Sequence, residues 1–489
     1  MQAIARSTFP VLNVLAFVVM LFAATMLAPL AVALVQGDRA RIVFAIALAV
    51  TLISGVALWF GTRRFRRELL PRDGFLLVTL AWTVLPAFAT LPLLLDLHDL
   101  SFTDAYFEAM SGITTTGATV LVKLDELPAS INFWRCLLQW LGGMGILVLA
   151  VAILPLLGIG GTQLFRAETA GPLKEQKLTP RIAETAKGLW TVYAALSLAN
   201  LLAYRAGGMT WLDAAMHMFT TMSLGGFSSH DASFAFFESP LLEWISVVFM
   251  LLASCNFALY FLVWRKRSLG VWLSDPEARG TLAIMVAGSL AVTVYLVWQG
   301  VYPDWGVALR YATFNVVSIA STTGYASADF NLWPAFAPWT MLLMSGVATS
   351  AGSTGAGIKM IRFIVLLKQV QREMMRILHP RLVKPLRIRN AMVEISVIFA
   401  VLAFMMVYGA SVILLTMLLA LSGRDIITAF SAIVACINNT GPGLNEVGPA
   451  ANFAVLTDFE TWVCTFAMLI GRLELMAVLV LFTPAFWRK

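Results

Sequence analysis

Ser111-Gly112-Ile113-Thr114-Thr115-Thr116-Gly117-Ala118-Thr119 is a short glycine-centred hairpin motif, and this chain carries it four times. The other copies are Thr220-Thr221-Met222-Ser223-Leu224-Gly225-Gly226-Phe227-Ser228, Ser318-Ile319-Ala320-Ser321-Thr322-Thr323-Gly324-Tyr325-Ala326 and Ala435-Cys436-Ile437-Asn438-Asn439-Thr440-Gly441-Pro442-Gly443. They align without gaps on Gly117, Gly226, Gly324 and Gly441. Each follows a short apolar run and precedes a longer one. The glycines recur roughly one hundred residues apart, which is the mark of a duplicated unit.

Working outward, the chain is 60% hydrophobic and only 12% charged, more apolar surface than a soluble fold of 489 residues can hide. The first apolar run, Val11–Val35, lacks a small-residue cleavage site and reads as a retained helix. A second helix, Ile42–Gly61, leads to the basic segment Arg63–Arg72. The rest divides into four units. Each has an outward helix, a half-helix too short to span, a hairpin loop and an inward return helix. Unit one uses Gly74–Leu95, Asp104–Ile113 and Phe133–Leu157. Unit two uses Ala183–Ala206, Asp213–Met222 and Leu241–Trp264. Unit three uses Leu282–Trp298, Val307–Ala320 and Trp339–Leu367. Unit four uses Met392–Leu421, Ile426–Ile437 and Trp462–Phe482. The expected fold is an all-α polytopic membrane protein, divided 1–70 for the two leading helices, then 71–182, 183–275, 276–388 and 389–489 for four pseudo-symmetric membrane–pore-loop–membrane repeats around a central pore.

Charge supports that layout. Arg166, Lys174, Lys177 and Arg181 follow unit one; Arg265, Lys266, Arg267 and Arg279 follow unit two; Lys368–Arg389 is basic after unit three; Arg488 and Lys489 close the chain. All fall on one side if each unit crosses twice, which puts both termini in the cytoplasm. The net charge of +7 therefore speaks to topology and not to nucleic acid. Cys136, Cys255, Cys436 and Cys464 lack metal-ligand or redox spacing and read as small buried hydrophobes.

Non-helical backbone at membrane depth needs protein or a watery cavity around it. A half-helix C-terminus carries partial negative charge, and an extended stretch after it can offer carbonyls in place of an ion's hydration shell. Glycine suits a position that needs φ > 0 without a Cβ clash. Four loops in register thus predict a cation filter made of Thr115, Thr116 and Gly117; Leu224, Gly225 and Gly226; Thr322, Thr323 and Gly324; and Asn439, Thr440 and Gly441. Thr116, Gly225, Thr323 and Thr440 add a ring of carbonyls or hydroxyls. The alternative is helix-packing glycine, the reading adopted for Gly142, Gly143 and Gly145.

These residues resemble a known group. Thr115-Thr116-Gly117-Ala118-Thr119, Gln139-Trp140-Leu141-Gly142-Gly143-Met144-Gly145, Arg166-Ala167-Glu168 and Gly171-Pro172-Leu173-Lys174 are similar to the TrkH type of bacterial potassium-uptake protein, within the Trk/Ktr/HKT superfamily. Gly225-Gly226-Phe227-Ser228, Ala351-Gly352-Ser353-Thr354-Gly355 and Gly471-Arg472-Leu473-Glu474 carry the same resemblance, which covers nearly the whole chain. It implies a bacterial inner-membrane protein with one K⁺-selective pathway per subunit, a homodimer, and a cytosolic ring of TrkA-like nucleotide-binding subunits. In some plant relatives serine at the first filter glycine accompanies sodium preference; here that position is Gly117. Because Phe227, Tyr325 and Pro442 stand where loop one has Ala118, the expected filter is pseudo-fourfold, with one good K⁺ site at the glycine ring, held by Thr115, Thr116, Leu224, Gly225, Thr322, Thr323, Asn439 and Thr440. Lys368–Arg389 reads either as a docking face or as a basic segment near anionic lipid.

Two features lie beyond the loops. Thr349–Gly357, followed by Lys359 and Arg362, interrupts the third return helix with small residues and glycines. It is read as a mobile gate loop of Gly352, Ser353, Thr354, Gly355, Gly357 and Lys359, against the alternative of a small-residue packing face. Arg472, in the middle of the last helix, is expected to face the pathway, oppose cations and hold that loop's carbonyls, against the alternative of an ion pair with Glu474. Asp104, Asp213 and Asp425 precede half-helices as candidate caps, and Glu108 and His217 share a register facing local partners. No His-Glu-x-x-His, Gly-x-Ser-x-Gly or nucleotide-binding loop is present, so no enzyme is expected. A gated channel and an H⁺- or Na⁺-coupled symporter both fit; a non-conducting anchor would have no use for four matched loops.

Overall fold

The computed structural model describes residues 2–65, 67, 69–145, 182–388 and 391–487. The second part of the Phe133–Leu157 helix, the Arg166–Lys177 motifs, Arg181, Arg389, Arg488 and Lys489 lie outside the described residues. The elements are α1 (Gln2–Thr25), α2 (Leu27–Gln36), α3 (Arg41–Thr62), α4 (Pro71–Asp96), α5 (Phe102–Ile113), α6 (Ala129–Trp140), α7 (Ile182–Ala206), α8 (Trp211–Met222), α9 (Pro240–Ser254), α10 (Phe257–Lys266), α11 (Pro276–Trp298), α12 (Trp305–Ala320), α13 (Phe336–Ser345), α14 (Met360–Leu378), α15 (Ile395–Leu421), α16 (Ile426–Ile437) and α17 (Asp458–Arg472), with short helical turns between them.

Among the described residues, five helices are long and apolar enough to cross a membrane, and seven if each sharply bent pair counts as one span. The half-helices α5, α8 and α16 have 12 residues and α12 has 16. Twelve residues rise only about 18 Å, short of a hydrocarbon core of about 30 Å. Their inner halves are largely buried, with Ala105–Ile113 and Ser431–Ile437 enclosed without a break. Protein, and not lipid, therefore surrounds them.

Capping explains where they start. Ser101 and Thr210 accept from the backbone N–H of Asp104 and Asp213, and Asp304 and Asp425 from those of Val307 and Thr428. This corrects the expectation for Asp104 and Asp213. They sit inside the first turn and accept from the cap hydroxyls at 2.8 and 2.6 Å, where a carboxylate suits the positive helix end.

Each half-helix packs between the helix before it and the helix after it. It also packs on the return helix of the unit before it: α8 on α6, α12 on α9, α16 on α13, and α5 on α17. The last contact closes a circuit. The leading α1 and α3 pack on each other and on α4, and α2 lies against α6.

The structure departs from the expected helices in one systematic way. The sequence points to one broken return helix; among the described residues the structure breaks three and turns the first π-helical. α6 passes into a π-helical turn at Leu141–Gly145. The second bends by 87° between α9 and α10, the third opens over residues 346–359, and the fourth bends by 104° after Arg472. The all-α expectation also gains one exception, an antiparallel pair of two-residue strands, β1 (Arg387–Ile388) and β2 (Ala391–Met392), ahead of α15.

Candidate functional site

The four loops share one backbone solution. At the end of α5, the N–H of Thr115 donates to Gly112 O (3.0 Å) and that of Thr116 to Ser111 O (2.9 Å). The same two bonds recur from Leu224 and Gly225 to Thr221 and Thr220, from Thr322 and Thr323 to Ile319 and Ser318, and from Asn439 and Thr440 to Cys436 and Ala435, all at 2.8–3.1 Å. This Schellman closure requires a left-handed residue just past the helix. Thr115, Leu224, Thr322 and Asn439 fill that place with φ of 52°, 53°, 66° and 51°. Two residues on, Gly117, Gly226, Gly324 and Gly441 take φ of 84°, 77°, 89° and 95°. The sequence located the glycines; it gave no warning that two threonines and a leucine would be left-handed too, at roughly 1–2 kcal/mol each.

The loops also abut in order. A Cβ on Gly117 would run into the carbonyl oxygen of Gly225, one on Gly226 into that of Thr323, and one on Gly324 into that of Thr440. A Cβ on Gly441 would lie 2.9 Å from Thr116 O, which completes the round. The four loops expected of a filter therefore lie side by side, glycine against carbonyl. Two of the three hydroxyls are otherwise engaged: Thr116 Oγ1 pairs with Thr114 Oγ1 (2.7 Å) and accepts from Asn439 Nδ2 (2.9 Å), and Thr323 Oγ1 pairs with Ser321 Oγ (2.6 Å), whereas Thr440 Oγ1 is buried with no partner among the described residues. The carbonyls of Thr116, Thr323 and Thr440 accept no hydrogen bond among the described residues, although these residues are buried.

Behind loop one lies a fully buried ion pair that sequence reading missed. Arg135 of α6 meets Glu108 of α5 at 2.7 Å. Glu108 accepts from Thr119 Oγ1 and the Val120 N–H, and Arg135 reaches Ser228 O (3.3 Å) and the Phe227 ring in unit two. His217 and Asn315, at the matching register in α8 and α12, bond Ser228 Oγ and Ser327 Oγ at 3.0 Å. The local hydrogen-bonding role read for Glu108 and His217 is what they perform. Gly142 does serve packing: a Cβ there would overlap Ile113 O. The four cysteines are buried and free.

On the opposite side of the ring from the half-helix starts, residues 346–359 cross beneath loops two and three. Thr354 Oγ1 donates to Met222 O (3.0 Å), and the Ala356 N–H to Thr322 Oγ1 (3.2 Å). The segment is tied down on its other flank as well. Ser350 N–H donates to Ser254 O, and Phe257 N–H to Gly352 O, at 3.0 and 3.1 Å. Those partners are the groups freed by the break between α9 and α10, so two interrupted helices satisfy each other's backbone. Gly352 and Gly357 are left-handed, at 76° and 80°, and so is Lys359, whose ammonium donates to Gly355 O. Ser353 Oγ donates to Ser350 O.

Arg472 is not in the middle of a helix, as expected, but at the last turn of α17, where the chain bends. Gly471 lets that turn close on Ile437 O. Its guanidinium, 9% exposed, donates to Thr354 O (2.9 Å), Gly142 O (2.9 Å) and Gly143 O (3.0 Å). It joins unit four to the third unit's loop and the first unit's π turn. Glu474 pairs instead with Arg362 (2.8 Å).

At the rim where half-helices begin, His230 lies between Asp125 after loop one and Asp213 of α8. Its ring stacks on Phe236, and the Asp231 N–H donates to Asp125. Partial burial alone would lower the His230 pKa, but the hydrogen bonds and charges of Asp213 and Asp125 raise it above 6.5. For Asp125 burial works upward and is outweighed by His230 and the Asp231 N–H, so its pKa falls.

Residues 40–489 match the TrkH family, described as cation transport protein. The Trk system potassium uptake protein TrkH of Halomonas elongata is 45% identical over 98% of this chain and 99% of its own length. The protein of that name from Escherichia coli is 43% identical, with the same coverage. The crystal structure of the potassium transporter TrkH from Vibrio parahaemolyticus superposes with a TM-score of 0.88 at 43% identity, covering 98% of this chain and 99% of that one. This chain belongs to the TrkH family of cation transport proteins.

Proposed function

We propose that this chain carries potassium ions inward across a bacterial inner membrane through a K⁺-selective pore whose filter is the ring of four loops. The observation that carries the reading is the set of buried carbonyls at Thr116, Thr323 and Thr440, which accept no hydrogen bond among the described residues and stand beside the ring glycines. A buried carbonyl needs a partner, and a cation with its shed hydration shell supplies one. Three carbonyls without donors among the described residues and a fourth, Gly225 O, that accepts one fit a selective filter that is less regular than a fourfold one. The four half-helices end at the ring, so their C-terminal dipoles favour positive charge there.

In this reading the chain has two leading helices (1–70) and four repeats (71–182, 183–275, 276–388, 389–489), with both termini cytoplasmic. Residues 346–359 and Arg472 form a closed gate: the guanidinium lies beneath the ring and binds the loop through Thr354 O. The relatives' name as members of a Trk system supports a regulatory assembly, here a homodimer on a cytosolic ring of TrkA-like nucleotide-binding subunits.

The test is flux from purified protein in liposomes, with K⁺ and Na⁺ gradients set separately and pH varied. K⁺ flux that follows the K⁺ gradient alone is expected. Flux that stops without an H⁺ or Na⁺ gradient would establish a coupled symporter, and none under any gradient would leave a membrane anchor.

A further inference from the structure

The ring is not made of four like oxygens, and the reason lies in one side chain of a neighbouring unit. Three loops place threonine before the ring glycine, at Thr116, Thr323 and Thr440; loop two places Gly225 there. In loops one and three the threonine hydroxyl pairs with a hydroxyl two residues back, Thr114 or Ser321. Loop two retains the earlier hydroxyl, Ser223, and has lost its partner.

Gln139 of α6 occupies the space. It is fully buried, and a Cβ on Gly225 would come within 2.5 Å of its Cδ and Oε1. Its Nε2 donates to Gly225 O at 2.7 Å, and its Oε1 accepts from the Phe227 N–H at 3.0 Å. The chemistry fixes this orientation, since the N–H needs an acceptor and the carbonyl a donor. Gly225 O is the oxygen beside Gly117, at the place in loop two that Thr116, Thr323 and Thr440 O hold in theirs. It therefore differs from those three in accepting a side-chain amide.

We propose that Gln139 is a positioning residue that determines specificity: it clamps loop two from unit one, and its N–H competes with a cation for the Gly225 carbonyl. The inference rests on the filter reading above. Removing the amide has two effects of the same sign. The carbonyl gains field strength toward an ion, which favours the smaller Na⁺, and the loop loses the two bonds that hold its spacing.

The measurement is the K⁺/Na⁺ permeability ratio of full-length protein in liposomes, which a residue that merely aids folding would not move. Gln139→Met fills the space without hydrogen bonds and should lower the ratio about three- to tenfold. Gly225→Thr alone should lower it too, because the new side chain and Gln139 cannot share one volume. Gln139→Ala combined with Gly225→Thr rebuilds in loop two the hydroxyl pair of loops one and three, with Ser223 as partner, and should return the ratio to within about twofold of the unsubstituted protein. A folded Gln139→Met protein with an unchanged ratio would overturn the proposal. So would a double variant no more selective than Gln139→Ala, an outcome that stays decisive if a single variant fails to fold. An unsubstituted protein that does not discriminate at all would instead defeat the filter reading.

Discussion

Arg135 shows how one side chain can bind two loops. It is 1% exposed, meets Glu108 at 2.7 Å and stacks over Phe227 of the next unit. Removing one partner of a buried ion pair strands the other charge, which costs about 3–5 kcal/mol, whereas removing both costs less. Arg135→Met should therefore lower thermal stability more than Arg135→Met combined with Glu108→Gln. Size-exclusion after stepwise heating measures it, and equal losses would mean that the pair carries no such coupling. Its partners come from α5, α6 and the loop after α8. A sequence shows Glu108 and Arg135 as two charges in apolar runs and does not show that they meet.

The interrupted return helices share one physical logic. A break frees backbone groups that must find partners at membrane depth. The second break does so by pairing with the third, and Arg472 donates to carbonyls of the third break and of the first unit's π turn. Glycine and small hydroxyl residues made the break at 346–359 legible in the sequence. Ser254-Cys255-Asn256 contains neither glycine nor proline, so the second was not, and only the docked partner explains it. If this knot is the closed gate, deleting Gly352–Gly357 should raise K⁺ flux. Arg472→Ala should do so as well, by about tenfold or more, since it removes both a loop tether and a charge of a few kcal/mol beneath the ring. Liposome flux checks both. Unchanged or lower flux in folded variants would return the segment to a packing role.

Across the molecule, each half-helix is wedged against the return helix of the preceding unit, and α17 on α5 completes the round. The rim is joined in the same sense, with His230 of unit two gripped by Asp125 of unit one and by Asp213. His230 is raised above its ordinary 6.5, so its contribution is complete below that value and is lost as pH rises through the higher folded value. Asp125 is lowered below 3.8, so its contribution holds above 3.8 and is lost as pH falls through the lower folded value. The clasp is thus fully formed between 3.8 and 6.5. Thermal stability should decline as pH rises above 6.5 through the higher folded value of His230, and His230→Gln should flatten that decline. An identical pH profile in the variant would remove His230 from the account.

The sequence by itself determined the duplicated unit, the four half-helices, the glycines that need φ > 0, the weak third return helix and an arginine where a charge is expensive. Each is written in local chemistry: apolar length, residue size, and backbone freedom. Only the tertiary structure decided which carbonyl faces which glycine, that the second and fourth return helices break as well as the third, that Arg472 stands at a bend, and that Gln139 fills the space loop two lacks. Those facts depend on contacts between residues about one hundred or more positions apart, where each partner's groups are satisfied only after the circuit closes.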